Sequence, residues 1–303
     1  MTKQSEINWL QLLRDWSDTY NPTPKPESYY VDIQDRKTLI ICLGDSWTYG
    51  DGLNESVRTQ QVYGSLLARH YDADIINVGF RVGPNSLILL AGNFIIDQLQ
   101  KNNTYEQVLV VVTMAESMKD TLLHQVFPFD YTKQGQIYGP THAYYQHILD
   151  SLENHWQQLV QTMLDKTDDR FVVVLGQTYV WHTMVDKLEH PRLKVPNQNW
   201  IEILAQHEDI GVPPRTNVVT PWVFKNFIGV TRQARMTDDT ACKEFSLMKM
   251  EKAMVINEWF DDSSFIAKYP SKHANHHGHR FWADYLIAQI TQFSIDNAHS
   301  SNV

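Results

Sequence analysis

Cysteine is scarce in this chain, and long apolar runs are absent. The 303 residues include only two cysteines, Cys42 and Cys242, which are too few for a disulfide framework. We therefore expect a reducing compartment, and we interpret Cys42 as a buried small hydrophobe. No apolar run approaches the roughly 20 residues that a membrane-spanning helix needs. Residues 1–20 also lack the succession of basic, apolar and small residues that marks a signal peptide. These absences predict cytoplasmic synthesis without a membrane span.

Positive charge is also limited. Lysine and arginine total 26 against 35 acidic residues, so the formal net charge is −9, and no basic cluster exceeds two residues. Because a nucleic-acid-binding surface needs a basic face, nucleic acid is excluded as an expected partner. Hydrophobic residues make up 43% of the chain and charged residues 20%, which is typical of one elaborated globular domain.

Strand-like and helix-like segments alternate along the chain. Apolar runs typical of buried parallel strands occur at 38–43, 75–78, 108–112 and 171–176, with a weaker run at 217–220. Helical periodicity fills the intervals, which predicts an α/β fold with a parallel sheet and helices on both faces. We divide the chain into an N-terminal helix and linker (1–37), the α/β domain (38–295), a weakly patterned insertion or cap within it (177–265) and a polar tail (296–303).

The first predicted strand ends in Gly44-Asp45-Ser46. This places Ser46 at the carboxyl edge of the sheet, where ligands bind in open α/β folds. All three residues are also common turn formers, so an ordinary turn is the alternative. A histidine-rich run near residue 273 begins the last predicted helix. A serine and a histidine together are the minimum for nucleophilic acyl transfer.

Three motifs resemble the SGNH, or GDSL, hydrolase superfamily. Gly44-Asp45-Ser46, followed by Thr48-Tyr49-Gly50, is similar to its serine block. His273-Ala274-Asn275-His276-His277-Gly278-His279 is similar to its His-Pro-Asn-x-x-Gly-His block, with alanine in place of proline. Asn77-Val78-Gly79 through Gly83 is similar to its glycine block, with one extra residue. The resemblance implies the family's three-layer, flavodoxin-like fold.

The resemblance also implies roles for particular residues. Ser46 is expected to be the nucleophile of an esterase, and His273 its general base and acid. The backbone N–H groups of Ser46 and Gly83 are expected to hold the oxyanion. Gly79 is the alternative to Gly83, which we prefer because Pro84-Asn85-Ser86 opens a helix after it. The family's substrates include acetylated carbohydrates and lipids, so a small acyl ester is implied, with no cofactor.

The chain departs from the family at its asparagine block. Residues 112–116 read Val-Thr-Met-Ala-Glu where the family has Gly-x-Asn-Asp. If the strand ends align, Thr113 takes the place of the donor, since a hydroxyl donates as an amide does. Loss of one oxyanion donor costs roughly 100- to 1000-fold in rate in a well-studied hydrolase. A catalytically impaired binding or structural module is therefore the rival class.

The second departure concerns the acid of the triad. The family's aspartate lies three residues before the histidine, and this position is Pro270 here. Either a backbone carbonyl at 269–271 orients His273 in a serine–histidine dyad, or a carboxylate comes from elsewhere. Asp262 and Asp261 are the nearest carboxylates, and Asp262 is our tentative acid.

Histidine and tryptophan suggest further sites. His273, His276, His277 and His279 are dense enough for a metal, but no carboxylate is spaced with them, so no metal site is expected. Four tryptophans on apolar helix stripes are predicted core residues: Trp9, Trp16, Trp156 and Trp282. Three in the irregular region are predicted to contact substrate: Trp181, Trp200 and Trp222.

The serine block and the tryptophan-rich insertion are most similar to SGNH proteins of bacterial and phage surface-polysaccharide systems. This resemblance implies an acylated carbohydrate substrate and association with a virion. A sugar ring has one apolar face for an aromatic side chain to cover. Exposed tryptophans also favour subunit contacts, so burial of the insertion in a homo-oligomer or an assembled particle is the alternative.

Overall fold

The computed structural model describes residues 7–20, 29–50, 53, 57–80, 83–102, 105–115, 143–178, 182–200, 203, 274 and 276–300. The strands are β1 (Tyr29–Asp32), β2 (Thr38–Gly44), β3 (Asp74–Gly79), β4 (Gln107–Met114), β5 (Phe171–Gln177) and β6 (Leu193–Lys194). The helices are α1 (Trp9–Tyr20), α2 (Ser46–Tyr49), α3 (Arg58–Gln61), α4 (Tyr63–His70), α5 (Asn85–Asn102), α6 (Ala143–Asp165) and α7 (His276–Ser300), with a 3₁₀ helix at Thr183–Lys187.

The described strands form one six-stranded sheet in the order β1-β3-β2-β4-β5-β6. Strands β3, β2, β4, β5 and β6 are mutually parallel, and β1 pairs antiparallel with β3. Counted from β2, the parallel strands follow the order 2-1-3-4-5, which is that of doubly wound sheets of the flavodoxin type. The predicted α/β class with a largely parallel sheet is confirmed, and the four predicted strands all form.

Alternate residues of the strands enter two separate cores. Strand β2 sends Leu39, Ile41 and Leu43 to the core that also contains buried residues of α1, α5 and α6. It sends Ile40 and Cys42 to the other core, which contains buried residues of α4 and α7. A strand covered on both faces has apolar residues at every position, which is why β2 and β4 are continuous apolar runs in the sequence. The result is a three-layer arrangement of helices, sheet and helices.

The helix predicted at the N-terminus forms, but a strand follows within the segment predicted to be a linker. Strand β1 has only one buried residue, Tyr29, among its four. It lies at the edge of the sheet and pairs with β3 on one side only. An edge strand with one buried position gives no apolar run and no clear alternation, so its sequence carried no strand signal.

The segment predicted to be an insertion or cap, 177–265, contains one strand of the sheet. This is β6, which pairs with β5. Two residues are too short for any periodicity to show. The strand expected at 217–220 lies outside the described residues. At the other end, α7 continues to Ser300, so most of the predicted polar tail is helical.

Predictions about individual core residues are confirmed. Cys42 is free and fully buried, and burial raises the pKa of its thiol to about 12. The four tryptophans predicted to be core residues are all buried: Trp9, Trp16, Trp156 and Trp282. Within the part of the chain that the structure describes, no helix has the length and hydropathy to cross a membrane.

Candidate functional site

Ser46 is the first residue of α2, directly after the carboxyl end of β2. Asp45 caps this helix, since its Oδ1 accepts the N–H of Trp47 at 2.9 Å. Gly50 ends it with a φ of 89°, and its N–H donates to the carbonyls of Ser46 and Trp47 at 3.1 and 3.2 Å. Glycine adopts this left-handed backbone without strain. The sequence therefore builds a single turn that holds Ser46 at its start, 6% exposed.

Two glycines let α2 lie directly against the strand ends. A Cβ on Gly44 would lie 2.0 Å from Thr48 Oγ1, and a Cβ on Gly79 would lie 2.2 Å from the backbone N of Tyr49. Asn77 in β3 also donates from Nδ2 to the carbonyl of Thr48 at 3.0 Å. Gly79, the alternative oxyanion residue, is thus required by the packing of α2 on β3.

Gly83, the preferred oxyanion residue, is part of a turn. Its N–H donates to the carbonyl of Phe80 at 2.9 Å, while the N–H of Phe80 donates to the carbonyl of Gly44 at 2.8 Å. A Cβ at position 83 would lie 2.2 Å from Phe80 Cβ, which explains the glycine. In this conformation the Gly83 N–H is already used within the turn, so the structure does not present it as a free oxyanion donor.

Thr113 is fully buried, and its hydroxyl is also engaged. Its Oγ1 lies 3.1 Å from the hydroxyl of Tyr63, which lies 3.2 Å from Thr48 Oγ1. Burial raises the pKa of Tyr63 well above its ordinary value, so the phenol stays protonated in this chain of hydroxyls. These three hydroxyl groups connect β4, α4 and α2. Either oxygen of each pair can be the donor, so the role of Thr113 as an oxyanion donor stays a prediction.

A second polar cluster, which no sequence motif predicted, lies where β4 ends. The side-chain amide of Asn85 bonds both backbone groups of Ala115: Oδ1 accepts its N–H at 2.7 Å, and Nδ2 donates to its carbonyl at 3.0 Å. His182 Nε2 lies 2.7 Å from the same carbonyl oxygen. Because a carbonyl only accepts, Nε2 is the donor in this bond. These side chains replace the strand pairing that stops at Met114.

Glu153 on α6 completes this cluster. Its Oε1 lies 3.6 Å from His182 Nδ1, and its carboxylate accepts the backbone N–H groups of Thr183 and Met184 at 3.2 and 3.1 Å, as well as the Thr183 hydroxyl. Burial alone would raise the pKa of Glu153, but His182 and Thr183 together outweigh it and lower the pKa. The members are distant in sequence, so only the fold brings them together.

Several of the predicted site residues lie outside the described part of the chain, whereas His279 of the histidine block lies within it. His273, Asp262 and Asp261 lie outside the described residues, as do Trp181 and Trp222. His279 is fully buried, and its Nδ1 accepts the N–H of Tyr63 at 3.3 Å. Among the described residues, no group of three or more potential ligands could hold a metal.

Trp200 was expected to face substrate, and the structure corrects this. Its ring is fully buried, and its Nε1 donates to the carbonyl of Gly278 at 3.1 Å. A ring enclosed in this way covers no sugar face. Trp200 belongs to the core that also contains Trp282 and Leu286 of α7.

No protein-family model matches this chain, and no curated protein sequence does so either. The resemblance to SGNH hydrolases therefore rests on three sequence motifs and is compatible with the strand order of the sheet.

Proposed function

We propose that this protein is a serine esterase of the SGNH type that hydrolyses a small acyl ester on a carbohydrate or a lipid. The position of Ser46 at the topological switch point of the sheet carries this proposal. Strand β2 lies between β3 and β4, so the chain leaves β2 in one direction first and in the other direction later. In sheets of this order the ligand crevice opens between these carboxyl ends.

In this proposal the Ser46 hydroxyl attacks the ester carbonyl while His273 removes its proton. His273 then protonates the leaving alcohol, which leaves an ester on Ser46. His273 next takes a proton from water, the hydroxide attacks the acyl carbon, and the proton passes to the Ser46 oxygen as the acid is released. A backbone carbonyl at 269–271 or the carboxylate of Asp262 orients the histidine. The N–H of Ser46 holds the oxyanion.

A specific observation favours a second candidate, a catalytically impaired SGNH-like module for binding or for assembly of a phage particle. Of the two other expected donors, the Gly83 N–H donates to the Phe80 carbonyl, and the Thr113 hydroxyl is fully buried beside that of Tyr63. An oxyanion held by one donor is stabilised less, and each missing donor costs roughly 100- to 1000-fold in rate. We therefore expect slow turnover.

Labelling with a fluorophosphonate tests the proposal, because only an activated serine reacts quickly with it. We expect the wild-type protein to label at Ser46 and to hydrolyse nitrophenyl acetate, and Ser46→Ala to lose both activities. Ser151→Ala is the matched control, since Ser151 is an exposed serine on α6 whose hydroxyl donates only to the carbonyl of His147. A folded wild-type protein that neither labels nor turns over the ester would support the module instead.

A further inference from the structure

Trp200 packs on both α2 and α7. Its ring lies 4.9 Å from that of Trp47, edge to face at 71°, and 5.4 Å from that of Trp282, stacked at 9°. Trp47 belongs to α2 and directly follows Ser46, whereas Trp282 belongs to α7. One fully buried side chain thus packs on the helix of the serine and on the helix that carries the histidine block.

A hydrogen bond fixes the start of α7 to the same side chain. The Nε1–H of Trp200 donates to the carbonyl of Gly278, in the first turn of that helix, at 3.1 Å. The indole is rigid and makes this bond from a ring that is packed on several sides. Movement of the first turn of α7 therefore requires either loss of the bond or movement of the ring.

The neighbouring contacts restrict the ring further. His279 lies 5.0 Å from it and Tyr63 lies 5.3 Å from it, both close to perpendicular. The backbone N–H of Tyr63 donates to His279 Nδ1 at 3.3 Å, so α4 also holds the first turn of α7. The position of Trp200 is thus determined by α2, α4 and α7 together.

We propose that Trp200 is a positioning residue that fixes the first turn of α7 relative to Ser46. The functional part of this inference rests on the proposed esterase activity. His273 lies three residues before α7 in the sequence, so we expect a displaced first turn to slow the steps that the proposed esterase assigns to His273. Displacement of a catalytic group by about 1 Å can cost on the order of 100-fold in rate.

Trp200→Phe tests the proposal, because it keeps an aromatic ring but removes the indole N–H and part of the contact area. Trp9→Phe is the matched control, since Trp9 is also fully buried but lies on α1, on the opposite side of the sheet. For each variant we would measure the labelling rate of Ser46, kcat and KM for nitrophenyl acetate, and the pH profile of labelling. All values are scaled to the folded fraction.

We expect Trp200→Phe to lower kcat and the labelling rate by at least about tenfold with KM unchanged, since the loss of geometry acts on the reaction step. Its pH profile should also change, whereas Trp9→Phe should leave both profile and rate as in the wild type. A rise in KM at constant kcat would assign Trp200 to substrate contact and overturn the proposal. Labelling by Trp200→Phe at the wild-type rate would also overturn it.

Hydrogen exchange separates this inference from the esterase proposal. If Trp200 positions the two segments, Trp200→Phe speeds amide exchange in residues 46–50 and 276–282, and Trp9→Phe does not. A wild-type protein without labelling or turnover would refute the esterase, while the exchange result would still decide the positioning role. Unchanged exchange in both segments would overturn that role.

Discussion

Gly79→Ala should displace the serine helix without removing any hydrogen-bond donor. Alanine keeps the backbone N–H, but its Cβ would lie 2.2 Å from the N and 2.4 Å from the Cα of Tyr49. These atoms belong to the backbone, so no side-chain rotation relieves the overlap. Ordinary contact with a Cβ starts at 3.4 Å. To restore that distance to the Tyr49 N, α2 has to move away from β3 by about 1.2 Å.

Two effects of this displacement can be measured. Overpacking of this kind costs typically about 1–3 kcal/mol, so the urea midpoint should fall at constant m-value. Because Ser46 moves with α2, its labelling by a fluorophosphonate should slow by on the order of 100-fold in the remaining folded protein. The loss of reactivity would thus exceed what the unfolded fraction explains.

Gly92→Ala is the control for this experiment. Its Cβ would meet only side-chain ends, Leu43 Cδ1 at 2.8 Å and Met163 Sδ at 3.1 Å, which rotate more easily than a backbone moves. Alanine also favours helix by about 1 kcal/mol over glycine, which offsets the crowding in α5. If Gly79→Ala proved as stable and as reactive as Gly92→Ala, the argument that α2 rests on Gly79 would be refuted.

Three further predictions concern polar and acidic side chains. Glu153→Gln should cost about 1–3 kcal/mol of unfolding free energy at pH 7. The pKa of Glu153 is lower in the folded state than in the unfolded state. The stability advantage of the wild type is therefore present above the ordinary glutamate pKa and disappears as the pH falls through the folded-state pKa. Urea melts from pH 7 to 3 would show this loss. Asn85→Ala leaves the N–H of Ala115 without its acceptor and its carbonyl without one donor, and should destabilise by a similar amount. Asn102→Ala, which removes an exposed side chain from the end of the same helix, should cost much less, and equal melting curves for the two variants would contradict this. Replacing Asp261 and Asp262 together by asparagine should reduce turnover by orders of magnitude if one of them orients His273, and should change it little if a backbone carbonyl does so.

The central strands could be predicted because burial on both faces leaves a pattern in each strand's own sequence. Strands buried on both faces are apolar at most positions, and β2, β3, β4 and β5 are recognisable for this reason, although β3 also buries Asp74 and Asn77. The edge strands β1 and β6 were not predicted, because β1 has a single buried residue and β6 has only two residues. Their pairing is determined by neighbours that lie far away in the sequence.

The position of Ser46 was predictable from the sequence, but the hydrogen bonds of its neighbours were not. A strand that ends in Gly-Asp-Ser correctly placed Ser46 at the carboxyl edge. Whether Thr113 or Gly83 donates to a ligand depends on Tyr63 and Phe80, and nothing local in the sequence pairs Thr113 with Tyr63. The same holds for Trp200, whose irregular sequence context indicated exposure although tertiary packing buries it.

The residues around Ser46 differ in what they reveal about function. Asp45 caps α2, Gly50 ends it, and Gly44 and Gly79 let it approach the strands. Each of these four is needed to form the turn, so an enzyme and a non-catalytic module built on this fold would both keep them. The Ser46 hydroxyl is different, because the proposed esterase requires it to attack an ester, whereas a module does not. Its reactivity is therefore the property that separates an esterase from a module.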